Sequence, residues 1–172
     1  MHIFITGATG LIGQHLCPFL THHHSVTVLS RNPTKANVLL GHKINAVTNI
    51  EAVDFNNVDV VINLAGEPIV NKRWSDKQKS IIRDSRTGIV LAKKGGALSK
   101  MLPAFKLCLG GPIGNGEQGM SWIHIDDMTQ LILFIIKHKN MTGPINATAP
   151  NPVSSKLFSK SLGKALSRPA LI

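Results

Sequence analysis

The chain has 172 residues, 43% of them hydrophobic, and a formal net charge of +10 at pH 7. This length predicts a single domain with a buried core, and lysines that stand singly or in pairs, without interleaved aromatic residues, argue against nucleic-acid binding. The longest apolar segment, Leu131 to Ile136, is too short to cross a bilayer. Cys17 and Cys108 lie in apolar contexts outside any metal-ligand pattern. We therefore expect a cytoplasmic protein that binds no metal, membrane or nucleic acid.

The first half of the chain alternates between predicted strands and predicted helices. The strands are short, apolar, β-branched segments at His2–Thr6, Ser25–Ser30 and Asp59–Leu64. The first predicted helix begins near Gly10, and the next two cover Thr34–Leu40 and Trp74–Arg86. Pro18 is expected to kink the first helix or to end it early. Strands that alternate with helices predict an α/β fold, in which a parallel sheet is flanked by helices.

The second half is harder to divide into regular strand–helix units. Its predicted strands are Thr87–Ala92, Trp122–Ile125 and Pro144–Ala147. Its predicted helices are Ala97–Leu107, interrupted by Pro103, a segment from Asp126 to about Lys139, and Leu157–Leu166. Asp126 and Asp127 are interpreted as the N-cap and first-turn charge of the middle helix. The glycine-rich segment Gly110–Gly119 is predicted to be an irregular loop.

The most informative motif is the GxxGxxG pattern of Gly7–Gly13, which follows a predicted strand and opens a predicted helix. Gly7 permits a tight turn, Gly10 lets the backbone approach a pyrophosphate, and Gly13 lets the helix pack closely on the strand. The helix N-terminus offers free N–H groups to phosphate oxygens. The motif therefore predicts a dinucleotide site; the alternative is a tight turn without a ligand.

The end of the second strand bears on the choice between NAD and NADP. An acidic residue there would bind the ribose 2′-hydroxyl of NAD, but this strand ends in Ser30 and Arg31. Arg31 can pair with a 2′-phosphate, assisted by Ser30, so NADP is favoured over NAD; the alternative is a solvated surface arginine. The segment Asn63–Gly66 follows the third strand, and its small residues allow a backbone to pass close to the adenosine of a dinucleotide. The alternative is a plain turn from strand to loop.

Four motifs together resemble the atypical extended short-chain dehydrogenases/reductases, and within them the sugar-nucleotide epimerase-like group. They are GATGLIG at Gly7–Gly13, NLAGEPI at Asn63–Ile69, GGPIGNG at Gly110–Gly116 and WIHIDDM at Trp122–Met128. The resemblance covers nearly the whole chain and implies a Rossmann-type sheet that binds NADP(H) and a small molecule. The residues expected to line the dinucleotide are Gly7, Thr9, Gly10, Leu11, Ile12, Gly13, Ser30, Arg31, Asn63, Ala65, Gly66 and Glu67. Those expected on the substrate side are Gly111, Pro112, Trp122 and His124.

The chain departs from this family pattern in its centre. Arg86 is followed directly by Thr87, where the family would have roughly two further βα units, on the order of 60 residues. We therefore expect a fold that is incomplete relative to the family, with a dinucleotide-binding half at residues 1–86 and a remnant of the substrate-binding region at 87–172. The strand at Thr87–Ala92 can still join the sheet beside Asp59–Leu64, with the helix at Trp74–Arg86 as a right-handed crossover.

The missing centre removes the usual catalyst. Short-chain reductases typically use a tyrosine as general acid/base, and this sequence contains no tyrosine. Asp84, Ser85 and His124 do not form a triad by spacing, and His124 is interpreted as a structural histidine, so the catalytic residues are unknown. Three hypotheses follow. The chain is an NADP-binding family member with impaired catalysis, an active oxidoreductase or epimerase with another acid/base, or a non-enzymatic sensor or interaction module whose exposed sheet edge forms a homo-oligomer.

Overall fold

In the computed structural model, residues 1–65 and 89–170 are described. The first part forms a sheet of four parallel strands in the order β3-β2-β1-β4. The strands are β1 (His2–Thr6), β2 (Ser25–Leu29), β3 (Ile44–Val47) and β4 (Val60–Asn63). Helix α1 (Leu11–Leu20) joins β1 to β2, and α2 (Pro33–Leu40) joins β2 to β3. Two short 3-10 turns, Ile50–Ala52 and Phe55–Asn57, lead into β4.

The largest buried hydrophobic cluster of the first part lies on one face of this sheet. Strand register places Ile3 of β1 beside Val26 of β2 and Val60 of β4, and the same alignment repeats two residues later. Because side chains alternate along a strand, these residues share a face. The buried residues of the cluster are Ile3, Ile5, Ala8, Leu16, Cys17, Leu20, Val26, Val28, Ala36, Leu40 and Ile44. The two helices therefore cover the apolar face that the strands present.

The second part contains two small sheets. Strand β5 (Ile89–Leu91) pairs in parallel with β7 (Trp122–His124), and β6 (Gly119–Met120) pairs in antiparallel with β8 (Val153–Ser154). The helices of this part are α3 (Gly96–Lys106), α4 (Ile125–Lys137) and α5 (Ser155–Ala165).

The chain divides into two compact units. The first comprises Met1–Pro68 with Ile132–His138, and the second Ile69–Leu131 with Lys139–Ile172. The division therefore passes through α4, whose Ile132, Leu133 and Ile136 pack against the core of the first unit. The predicted boundary between residues 86 and 87 lies outside the described residues and stays a prediction, as do the helix at Trp74–Arg86 and the Arg86–Thr87 junction.

The predicted α/β fold with a parallel sheet is confirmed, and one strand of that sheet had not been predicted. β3 has only four residues, INAV, and its asparagine breaks the apolar pattern. The register between β2 and β3 pairs Val26 with Ile44 and Val28 with Ala46. Tertiary pairing therefore made a strand from a segment whose own pattern is weak.

Neither proline ends its helix, and the alternative of a kink at Pro18 stays a prediction. Helix α1 continues through Pro18 to Leu20, and α3 continues through Pro103 to Lys106. Each proline lies on the exposed side of its helix. The carbonyl that loses its partner there can be hydrated, while burial of Leu16, Cys17 and Leu20 holds the rest of α1 in place.

Three further expectations for the second half need correction. Pro144–Ala147 is not a strand; only Ala147 forms an isolated bridge, and Pro144 has no N–H to donate. Strand β5 pairs with β7, so the described part of the Thr87–Ala92 segment does not extend the four-stranded sheet. Asp126 is not the N-cap of α4, because that helix already begins at Ile125, which places both aspartates in its first turn.

Candidate functional site

The turn between β1 and α1 brings two strand ends into direct backbone contact. Gly7 has a φ of +68°, in the left-handed region that favours glycine. A Cβ at this position would lie 2.5 Å from the backbone nitrogen of Ala65 and 2.5 Å from the backbone carbon of Leu64. The segment after β4 therefore passes so close to the turn that only glycine fits.

Helix α1 packs onto the same turn through Gly13. A Cβ on Gly13 would overlap the backbone of Ala8, with the Ala8 carbonyl oxygen as its nearest atom. Gly10 differs, because among the described residues the only atom beyond its chain neighbours within 4 Å of its Cβ position is the Gly7 carbonyl oxygen, at 3.1 Å. Gly7 and Gly13 therefore serve packing inside the protein, whereas Gly10 is exposed and, apart from the Gly7 carbonyl, borders space that no described residue fills.

The N-terminus of α1 lies beside Gly10, and no described side chain competes for its N–H groups. Gly10 is the N-cap, no side chain of the described residues caps the helix, and its first turn carries no acidic residue. The first N–H groups of a helix have no intrahelical acceptor, and they carry partial positive charge. Thr9, Leu11 and Ile12 are half-buried around this end of the helix. The arrangement is suited to an anion.

Asn63 ties the ends of β1 and β4 together. Its side-chain oxygen Oδ1 accepts hydrogen bonds from the Thr6 hydroxyl at 2.5 Å and from the Ala65 backbone N–H at 3.1 Å. The Leu64 N–H donates to the Thr6 carbonyl at 2.9 Å. Asn63 thus fixes the segment that contacts Gly7, a role that its position after an apolar strand did not predict. Gly66 and Glu67, expected next along the chain, lie outside the described residues.

Ser30 and Arg31 follow β2, at the same edge of the sheet as the glycine turn, since β1 and β2 are parallel neighbours. The Ser30 hydroxyl donates to the Asn32 carbonyl at 3.1 Å and accepts from the Asn32 N–H at 3.2 Å. Asn32 in turn caps α2 by accepting from the Lys35 N–H at 2.9 Å. Arg31 is exposed. Ser30 therefore shapes the turn from which Arg31 projects.

The residues expected on the substrate side all belong to the second unit. Gly111 and Pro112 are half-buried in the glycine-rich loop. The indole Nε1 of Trp122 donates to the Asn151 carbonyl at 3.2 Å. His124 is exposed at the end of β7, with its Nδ1 atom 3.4 Å from a carboxylate oxygen of Asp126.

Across 1–65 and 89–170, no group of three or more His, Cys, Asp or Glu side chains is arranged to hold a metal ion. Over the same ranges, none of the helices combines the length and the apolar character needed to cross a membrane.

Comparison with known proteins identifies the family. The sequence model of the NAD dependent epimerase/dehydratase family matches residues 3–93, more than half of the chain. The chain belongs to this family. The match includes β1, the glycine turn, α1, β2 and β4, which together form the site described above.

Curated relatives extend the similarity to the second half. An epimerase family protein of Mycobacterium leprae is 27% identical over 97% of this chain and 78% of its own length. The chloroplastic homolog of the epimerase family protein SDR39U1 from Arabidopsis thaliana is 29% identical over 99% of this chain and 72% of its own. The first alignment extends over 241 positions, although this chain has 172 residues. The relative therefore carries sequence with no counterpart here, and the chain is incomplete relative to its family.

Solved structures show the same fold. The human epimerase family protein SDR39U1 (isoform 2), crystallised with NADPH, has a TM-score of 0.79 and is 25% identical, covering 100% of this chain and 82% of that one. A UDP-glucuronic acid 4-epimerase from Bacillus cereus, in complex with NAD, has a TM-score of 0.72 at 17% identity, over 99% of this chain and 86% of that one. The likeness to the second protein concerns the Rossmann-type fold alone.

Proposed function

We propose that this chain binds NADP(H) at the carboxyl edge of its four-stranded sheet, and that its catalysis by the usual tyrosine-dependent route is impaired. Membership of the NAD dependent epimerase/dehydratase family supports a nicotinamide dinucleotide. The human relative crystallised with NADPH supports the phosphorylated form. The second ligand would be a small molecule, held on the side of Gly111, Pro112, Trp122 and His124.

The observation that carries the proposal is the space beside Gly10 that no described residue fills. The residues around it fit a pyrophosphate, because a Cβ there would partly fill the space and the adjacent helix end has neither a capping side chain among the described residues nor an acidic first turn. Gly7, Gly10 and the first turn of α1 would hold the pyrophosphate. The segment Asn63–Ala65 would pass beside the adenosine.

The preference for NADP rests on Arg31. It projects from the end of β2, where an NAD-binding protein would carry a carboxylate for the ribose hydroxyls. The first turn of α2, which follows directly, also contains no acidic residue. A 2′-phosphate would therefore meet a guanidinium group and no nearby repulsive charge from these segments.

Impaired catalysis rests on the amino-acid composition. A bound nicotinamide would supply hydride transfer, but the protein must still move a proton at the reacting oxygen. The usual tyrosine for this step is absent from the sequence. The chain's own residues would then bind and orient the dinucleotide without completing the proton transfer.

The test is a titration of the purified chain with NADPH and NADH, followed by fluorescence and thermal shift. Saturable stabilisation that favours NADPH is expected. Gly10→Glu should abolish binding of both nucleotides, because it places a carboxylate in the phosphate space. Arg31→Ala should weaken NADPH alone by roughly tenfold to a hundredfold, the loss of one charge-assisted hydrogen bond.

Two results would contradict the proposal. If the chain binds neither NADPH nor NADH, the proposed cofactor-binding function is wrong. Sustained oxidation of NADPH in the presence of a carbonyl substrate would show that another residue replaces the tyrosine, and the impairment would then be wrong.

A further inference from the structure

Gln14 makes the one described side-chain hydrogen bond to the backbone of the glycine turn. Its amide Nε2 donates to the Thr9 carbonyl oxygen at 2.6 Å, across five residues. Its side chain is exposed on the first turn of α1, so this contact does not serve the core. No motif in the sequence singled out this residue.

The bond completes a pattern in which the carbonyls of the turn are directed at protein groups. The Gly7 carbonyl accepts from the Gly10 N–H at 2.9 Å. The Ala8 carbonyl lies against Gly13 of α1. The Thr9 carbonyl, next in sequence, accepts from Gln14. The Gly7 and Thr9 carbonyls therefore accept hydrogen bonds from protein groups, the Ala8 carbonyl lies against Gly13, and the Gly10 carbonyl, the fourth before the helix, accepts from the Gln14 N–H at 3.0 Å.

This pattern matters for an anionic ligand. A carbonyl oxygen carries partial negative charge, so an oxygen that turned toward a phosphate would repel it, whereas the N–H groups at the helix end attract it. The peptide plane between Thr9 and Gly10 is rigid, so fixing its carbonyl also fixes its N–H, which donates to Gly7. Gln14 holds that plane from the carbonyl side.

We infer that Gln14 is a positioning residue of the dinucleotide site, which acts through the Thr9–Gly10 peptide and not by contact with the nucleotide. The inference rests on the proposed function, since it assigns a role within the same site. Because the turn lies at the pyrophosphate, the contribution of Gln14 is common to NADPH and NADH. In this it differs from Arg31, whose contribution depends on the 2′-phosphate.

The test compares Gln14→Ala and Gln14→Met in the full chain with a matched control, Gln130→Ala, which removes an exposed glutamine from α4. Alanine and methionine are good helix formers that cannot donate to Thr9, so the melting temperature of the ligand-free chain should fall by no more than the loss of one exposed hydrogen bond accounts for. Titration with NADPH and with NADH should show both dissociation constants raised by the same factor, about threefold to tenfold for one neutral hydrogen bond. Gln130→Ala should bind like the unchanged chain.

Each other outcome overturns the inference in a recognisable way. If the unchanged chain binds and both Gln14 variants bind equally well, Gln14 does not position the turn. If affinity falls only together with a larger drop in the melting temperature of the ligand-free chain than one exposed hydrogen bond accounts for, Gln14 has a merely structural role. If the unchanged chain binds neither nucleotide, the proposed function fails and the role of Gln14 fails with it.

Discussion

Two glycine-rich segments of this chain have similar composition and different physical roles. In Gly7–Gly13, the space beside two glycines is occupied by backbone atoms, of Leu64 and Ala65 for Gly7 and of Ala8 for Gly13. In Gly110–Gly119, the first glycine lies against the ring of Phe105, and no atom of the described residues lies within 4 Å of the Cβ position of Gly119. Glycine content alone therefore does not show where glycine is required.

The two segments differ in how far the atoms beside each glycine can move. Backbone within a paired strand or a helix end cannot shift without breaking hydrogen bonds, whereas a side chain can rotate or move by a few tenths of an ångström. The first segment should therefore tolerate no side chain at its packed glycines. The second should give a graded response that depends on each neighbour.

Gly13→Ala should have the largest effect. The new methyl group would overlap the Ala8 backbone, so α1 would have to move away from the turn. Because overpacking against backbone leaves little relief, we expect a loss of about 3 kcal/mol in the free energy of unfolding and loss of NADPH binding. Urea denaturation followed by circular dichroism measures the first, and a nucleotide titration the second.

The matched control for this change is Gly119→Ala in β6. Its Cβ position is open and its φ lies outside the left-handed region, so stability should change by less than about 0.5 kcal/mol. Equal losses in the two variants would mean that the distinction between the two segments is wrong.

Gly110→Ala should have an intermediate effect. The methyl group would overlap the Phe105 ring, and that ring is only 2% exposed, so it must shift within a packed site. We expect a loss of about 1–2 kcal/mol, measured by urea denaturation.

A double variant tests whether the ring is the cause. Phe105→Ala removes the obstructing Cγ and Cδ atoms, so the combined change with Gly110→Ala should cost less than the sum of the two separate changes. Strict additivity would show that the loss arises from the backbone of the loop and not from Phe105.

Local sequence pattern was enough to predict three of the four strands of the sheet and the turn that forms the candidate site. β1, β2 and β4 are apolar segments bounded by polar or glycine residues, and the turn after β1 has its motif in the required strand–helix context, so both fold class and candidate site followed from local pattern. β3 could not be predicted in this way, because its pairing with β2 is a tertiary event.

The contacts that organise the site were also beyond local pattern. The hydrogen bonds from the Thr6 hydroxyl to Asn63 and from the Gln14 amide to Thr9 depend on side-chain geometry that spacing does not encode. In the second half, Gly110–Gly119 was predicted only as an irregular loop. The hydrogen bond that anchors this loop, from the Ile113 N–H to the Ser155 hydroxyl, joins residues 42 positions apart.

Ser155→Ala should produce a smaller, local effect in the second segment. The Ser155 hydroxyl is 2% exposed and accepts a hydrogen bond from the Ile113 N–H at 3.0 Å, in the middle of the loop. Its loss should cost about 1 kcal/mol and speed amide hydrogen exchange at Ile113. Ser159→Ala is the control, since Ser159 is equally buried one turn later on α5. If both variants change exchange at Ile113 alike, Ser155 does not anchor the loop.

The smallest effect concerns the two cysteines, one beside each glycine-rich segment. Cys17 is fully buried in α1, and this burial raises the pKa of its thiol from the ordinary value of 9.0 to about 11. Cys108, two residues before Gly110, is half-buried. A thiol reagent at pH 8 should therefore label Cys108 first and Cys17 only when the first unit opens, because the thiolate is the reactive form and Cys17 lacks both charge and access. Cys108→Ser should abolish the fast reaction.

The raised pKa of Cys17 also fixes the direction of a pH effect. The folded chain favours the protonated thiol, so Cys17 leaves stability unchanged below about pH 9 and lowers it as pH rises from about 9 to about 11, where the unfolded chain binds fewer protons. Cys17→Ser should remove this alkaline decline, whereas Cys108→Ser should leave it in place. Labelling of both cysteines at one rate in the folded chain would mean that α1 is not held against the core, and the rigid packing inferred for the Gly7–Gly13 turn would fail with it.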